Sequence, residues 1–172
     1  VDSAGAITAL STYGDATGIS AYSIYGAVDV SNSGYVRAET SYGYAVGVSA
    51  ISIFDDASAA NTGEIHATSY EGLATGIYAV SIYGDATVYN EGSIHAQVTG
   101  NGSATGIFAY SRYGDVSVTG SGDITAEALY GNATGINAVS GSYSGPVSVD
   151  VSGDINASTY VGNATGINAY SF

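Results

Sequence analysis

The chain has no Cys, Met, Trp or Lys, a single Pro and only three Phe. Long helix formers such as Arg, Glu, Gln and Leu are scarce, so a helical fold has little to draw on. Arg37 and Arg112 are the only permanent cations against 15 acidic residues, a net charge of −13. Two arginines cannot neutralise a phosphate backbone, which excludes nucleic acid as a partner. The same deficit excludes anionic lipid surfaces. No stretch approaches the roughly 20 apolar residues of a membrane-spanning helix. Without Cys, disulfide chemistry offers no clue to compartment. No signal peptide is visible, and the first residues already belong to the repeat described next, so any targeting segment is expected to lie outside this chain.

What remains is Gly (25 residues), Tyr (16), Ala, Val, Ile, Ser and Thr. Small and β-branched residues with Tyr as the main aromatic favour strands and tight turns. Their order is periodic. A-T-G-I begins at Ala16, Ala74, Ala104, Ala133 and Ala164, with the variant A-V-G-V at Ala45; successive starts lie 29, 29, 30, 29 and 31 residues apart. G-x-[IV]-x-A keeps the same beat from Gly5, Gly34, Gly63, Gly92, Gly122 and Gly153. Two motifs in one period define a solenoid, in which no unit buries its own apolar face and stacked units share one core.

Three short strands fit each unit, giving an all-β, three-faced parallel β-helix of about six coils of 29–31 residues. Units are placed at about 5–33, 34–62, 63–91, 92–121, 122–152 and 153–172, forming a single domain over 1–172. A right-handed coil follows from the general rule for parallel crossovers. Alternation predicts two inward columns: Ile7, Val36, Ile65, Ile94, Ile124 and Ile155, and Ile19, Val48, Ile77, Ile107, Ile136 and Ile167. Asn32, Asn61 and Asn90 align at a turn, where a short ladder of side-chain amides is expected. The longer fifth unit predicts an outward loop at Gly141–Pro146, with the columns resuming at Val147 and Val149.

The pattern V-x-V-x-N-x-G-x-I-x-A followed by A-x-G-I-x-A-x-S resembles the repeat of bacterial autotransporter passengers and filamentous-haemagglutinin-like adhesins. Val88–Ala96 and Ala74–Ser81 match it best. The resemblance implies a right-handed β-helix, secretion, an extracellular or bacterial cell-surface setting, and a fibrous or adhesive role.

Candidate sites are columns too. Asp56, Asp85 and Asp115 share a turn, where like charges one coil apart repel unless solvent or a cation screens them. An oxygen-rich turn suits calcium, although the glycine-rich nonapeptide of calcium-binding β-rolls is absent. His66 and His95 lie one repeat apart and make a two-imidazole metal candidate, with surface filler the plainer reading. Tyr25, Phe54, Tyr83, Tyr113 and Tyr143 align as an aromatic ladder or a binding face for glycans or other surface proteins. Tyr13, Tyr42, Tyr70, Tyr130 and Tyr160 form a second aromatic column. Parallel β-helices also host polysaccharide-degrading enzymes, but near-identical units build no unique cleft, and Asp55–Asp56 is the only adjacent carboxylate pair. The chain is therefore read as a non-enzyme without a cofactor. One Thr column repeats (Thr17, Thr75, Thr105, Thr134, Thr165), and strict alternation would place it inward, against an ice-binding array. Val1 aligns with Val30 and Phe172 with Ile24, so these two residues are expected at a head-to-tail contact between copies or at a junction within a longer solenoid.

Overall fold

The computed structural model describes residues 1–141 and 145–172. The expected position of Tyr143, and half of the predicted Gly141–Pro146 loop, lie outside these residues. The described residues are all-β, with no helix. Coil one carries β2 (Ile7–Ser11), β3 (Ala16–Ser23) and β4 (Val28–Asn32), and β1 (Asp2–Ser3), paired with β4, holds the third-face position one coil earlier. Coils two to four carry β5 (Tyr35–Ser52) and β6 (Ala57–Asn61), β7 (Glu64–Ser81) and β8 (Ala86–Asn90), β9 (Ile94–Ser111) and β10 (Val116–Gly120). Coil five has β11 (Ile124–Tyr130), β12 (Ala133–Ser140) and β13 (Val147–Val151), and coil six has β14 (Ile155–Val161) and β15 (Ala164–Ser171). All pairing is parallel, and the columns stay in register, Ile7 with Val36, Val36 with Ile65, Ile65 with Ile94, Ile94 with Ile124 and Ile124 with Ile155, with local register shifts at Ser69–Gly72 and Ala128–Tyr130. This is a β-solenoid of about six turns.

In coils two to four the first two expected strands are one 18-residue strand. The chain turns the corner on a glycine within the strand; β7 and β9 shift register between Ser69 and Gly72 and resume pairing with Gly72 opposite Gly102. Gly43, Gly72 and Gly102 have φ of 149°, 136° and 144°, a region that disfavours side chains. A Cβ on Gly72 would lie 2.0 Å from the Gly43 carbonyl oxygen, so backbone packing demands glycine there as well. Gly14, Gly43, Gly72, Gly102, Gly131 and Gly162 repeat with the period of the other motifs.

Both predicted Ile/Val columns face the core. Val36, Val48, Ile65, Ile77, Ile107, Ile124 and Ile136 are essentially inaccessible. Beside them Ala38, Ala67, Ala96 and Ala126 are equally buried, because a narrow coil leaves room only for small side chains. Val147 and Val149 resume the third face opposite Val116 and Val118, as the spacing predicts.

One orientation is corrected. Thr17 is exposed, while Ala16 and Ile19 are both buried, so the Thr column faces outward. Gly18 supplies the shift. Its missing side chain points inward, since a Cβ there would lie 2.3 Å from Val36 Cγ1. Gly18 and Ile19 therefore both face the core, and the alternation steps by one residue.

Buried polar groups are satisfied by ladders along the axis. Asn32 Nδ2 donates to Asn61 Oδ1, and Asn61 Nδ2 to Asn90 Oδ1, both at 2.8 Å. Ser52, Ser81, Ser111 and Ser140 form a second buried polar column. Ser81 Oγ donates to the Asp55 carbonyl of the preceding coil at 2.9 Å and accepts the Gly84 N–H at 2.9 Å. Among the described residues, no buried side-chain nitrogen or oxygen lacks a partner.

Candidate functional site: the outward columns

The Asp column is tied into the backbone. Asp56 Oδ1 accepts the N–H of Asp85, and Asp85 Oδ1 accepts the N–H of Asp115, each at 2.8 Å. Each carboxylate thereby satisfies an amide that the turn leaves outside the sheet ladder. The series stops at Asp115, because Val116 pairs with Val147 and the preceding residue there, Pro146, has no N–H. The same device recurs elsewhere: Asp15 Oδ1 accepts the Tyr44 N–H, and Asp123 Oδ1 the Asp154 N–H. These bonds give the column a structural role in the turn. Among the described residues no group of three or more His, Cys, Asp and Glu could hold a metal ion.

His66 and His95 are neighbours as predicted, with ring centroids 5.6 Å apart and planes tilted by 49°. His66 Nε2 lies 2.6 Å from Glu64 Oε1 on the same strand. Arg37, one coil earlier in this column, pairs with Glu39 at 2.6 Å. Tyr89 donates its hydroxyl to Glu91, and that bond holds the phenol above its usual pKa.

Tyr25, Phe54, Tyr83 and Tyr113 form a continuous stack. Centroid separations are 5.4, 5.1 and 5.1 Å, with planes within 5°, 7° and 15° of parallel. Exposure is 83% at Tyr25 but 51%, 54% and 43% along the rest, so each ring shields the next. Stacked this way the rings spend part of their faces on one another, which leaves edges and hydroxyls to solvent and favours the structural role. Tyr13 stacks on Tyr42 at 5.7 Å, and Tyr78 on Phe108 at 5.1 Å. The Tyr42–Tyr70 and Tyr130–Tyr160 pairs meet edge to face.

The outward side of the A-T-G-I strands is a site the sequence reading passed over. In register it presents three columns. The first is Thr17, Val46, Thr75, Thr105, Thr134 and Thr165; the second is Ser20, Ser49, Tyr78, Phe108, Asn137 and Asn168; the third is Tyr22, Ile51, Val80, Tyr110, Val139 and Tyr170, with the smaller Ser49, Val80 and Val139 buried. A shallow recess of about 340 Å³ opens on this side, lined by Tyr44, Val46, Ser49, Leu73, Thr75 and Tyr78. Once the Thr column is placed outward, the face can be read directly from the repeat.

The two ends of the stack are complementary. At each junction between coils, a Cβ on the A-T-G-I glycine would clash with the inward Ile or Val of the next coil: Gly47 with Ile65, Gly76 with Ile94 and Gly106 with Ile124, all at 2.2 Å. At Gly166 nothing lies within 4 Å. Nearby Ile167 is 46% exposed, whereas its counterpart Ile136 is fully buried. Ile7, partly buried at the other end, is the residue type and position that fits such a socket.

Comparison with models of protein families, with curated proteins and with solved structures found no match.

Proposed function

We propose that this β-solenoid is an extracellular structural or adhesive element that propagates axially, either by stacking head to tail with copies of itself or as part of a longer bacterial surface fibre. The observation that carries this reading is the junction repeated between successive coils, an A-T-G-I glycine receiving the inward Ile or Val of the next, whose two halves recur as Gly166 in coil six and Ile7 in coil one. Joining them continues the ladders of β14 and β15 onto β2 and β3 and covers those open strand edges, while β1 supplies the end of the next third-face strand. The association is heterologous and open, which generates filaments and not closed rings. The repeat's likeness to autotransporter and filamentous-haemagglutinin-like passengers supports the surface setting. Near-identical coils, with carboxylates committed to backbone amides, support a role without catalysis.

Electron microscopy of the isolated chain tests this reading. Uniform fibres with an axial repeat of about 29 Å, six coils at the usual strand spacing, are expected. Discrete particles at high concentration, with Gly166 and Ile167 covered by the chain's own residues, would sink both versions.

A further inference from the structure

The outward face of the A-T-G-I strands differs from the rest of the surface in charge. Segments 16–23, 45–52, 74–81, 104–111, 133–140 and 164–171 contain no Asp, Glu, Lys, Arg or His, although the chain carries a net charge of −13. The other faces carry carboxylates, Glu39, Glu64 and Glu127 on one and Asp29 and Asp150 on the other. On this face two copies meet with none between them.

The face is also self-complementary. Turning a second copy about an axis parallel to the strands, midway between coils three and four, reverses the order of coils and leaves the order of columns unchanged. In the second column Tyr78 then meets Phe108, Ser49 meets Asn137, and Ser20 meets Asn168. In the third, Val80 meets Tyr110, Ile51 meets Val139, and Tyr22 meets Tyr170. In the first, Thr75 meets Thr105, and Val46 meets Thr134. Aromatic falls on aromatic, amide on hydroxyl and apolar on apolar, with the small Val80 against the large Tyr110. A parallel arrangement, by contrast, sets the Thr column against the apolar one.

We infer that this face pairs two copies of the chain laterally, as an antiparallel twofold dimer centred on Tyr78 and Phe108. Such an interface is isologous and closes on itself, unlike axial stacking, on which it does not depend. Six coils by eight residues give a footprint of about 29 by 23 Å, so pairing buries about 1,300 Å² in total, within the range of specific interfaces. Applied to fibres, the contact joins two of them side by side in opposite directions.

Sedimentation velocity, combined with cysteine cross-linking, tests the inference on a chain that has no cysteine of its own. The expected species is a dimer. Tyr78→Asp, which sets a carboxylate at the centre of each side, is expected to weaken it at least tenfold while leaving the β-sheet circular dichroism intact. Ser117→Asp adds the same charge on the third face and is expected to leave the dimer unchanged. A mixture of Val46→Cys and Thr134→Cys chains is expected to form a mixed disulfide. Val46→Cys alone is not, since three coils separate like positions by about 14 Å, beyond the reach of a disulfide. A single-chain mass at concentrations up to about 1 mM overturns the inference. So do disulfides joining Val46→Cys to itself, or a monomer that instead pellets with a crystalline neutral polysaccharide. Gly166→Ala separates the two contacts, since it blocks the axial socket and leaves this face untouched.

Discussion

Asp56 and Asp85, one coil apart, are joined by a 2.8 Å hydrogen bond from the Asp85 N–H to the Asp56 carboxylate. A column of like charges is stable here because each carboxylate faces a backbone donor of the next coil. Asp85→Ala removes the acceptor of the Asp115 N–H and is expected to cost about 1 kcal/mol, the worth of one exposed hydrogen bond. Thermal denaturation reads this as a drop of a few degrees. A calcium-dependent rise in melting temperature that disappears in Asp85→Ala would show that the column also binds calcium.

Asn61 is the middle rung of its ladder, accepting from Asn32 and donating to Asn90 and to the Gly63 carbonyl. Asn61→Ala removes all three bonds, leaves the buried Asn90 Oδ1 without this donor, and is expected to cost about 3–5 kcal/mol. Chemical denaturation should show a lower midpoint with little change in slope. A loss below 0.5 kcal/mol would mean that water replaces the rung.

Most of this architecture is legible in one sequence, because a solenoid writes each structural position six times. The Ile columns, the Asn ladder and the stack from Tyr25 to Tyr113 all follow from alignment of units. The orientation of Thr17 does not. Alternation is read from side chains, and Gly18 has none to declare its face, so counting across it carries an error of one residue into the whole column. The corner glycines kept the period in full view, but spacing alone does not separate a loop from a strand that bends on a positive φ. The role of Asp85 was hidden for another reason. A repeated carboxylate suggests a cation from sequence, and only backbone geometry reveals the amide that each Oδ1 accepts from.

Tyr83 stacks on Phe54 and on Tyr113, each at a centroid distance of 5.1 Å. Tyr83→Ala breaks the stack at its middle and is expected to cost about 1–3 kcal/mol, two aromatic pairs at 0.5–1.5 kcal/mol each. Tyr83→Phe keeps both and is expected to melt like the wild type. If Tyr83→Phe were as damaging as Tyr83→Ala, the hydroxyl would matter more than the ring, and stacking would be the wrong account.

Gly76 and Gly166 occupy the same position in coils three and six, yet they predict opposite outcomes. A Cβ on Gly76 would sit 2.2 Å from Ile94 Cγ2 and 2.6 Å from the Gly106 carbonyl oxygen. Ile94 is almost wholly buried and has nowhere to move. Gly76→Ala is therefore an overpacking substitution in a close-packed interior, with an expected cost of about 3 kcal/mol. At Gly166 nothing lies within 4 Å, so Gly166→Ala should leave the melting temperature of the dispersed chain unchanged. Its methyl group would fill the space that an incoming Ile7 needs. Fibre growth, followed by light scattering and electron microscopy, is expected to stop in Gly166→Ala while the chain stays folded. Fibres that assemble equally well with the socket filled would show that the coils do not continue through this junction.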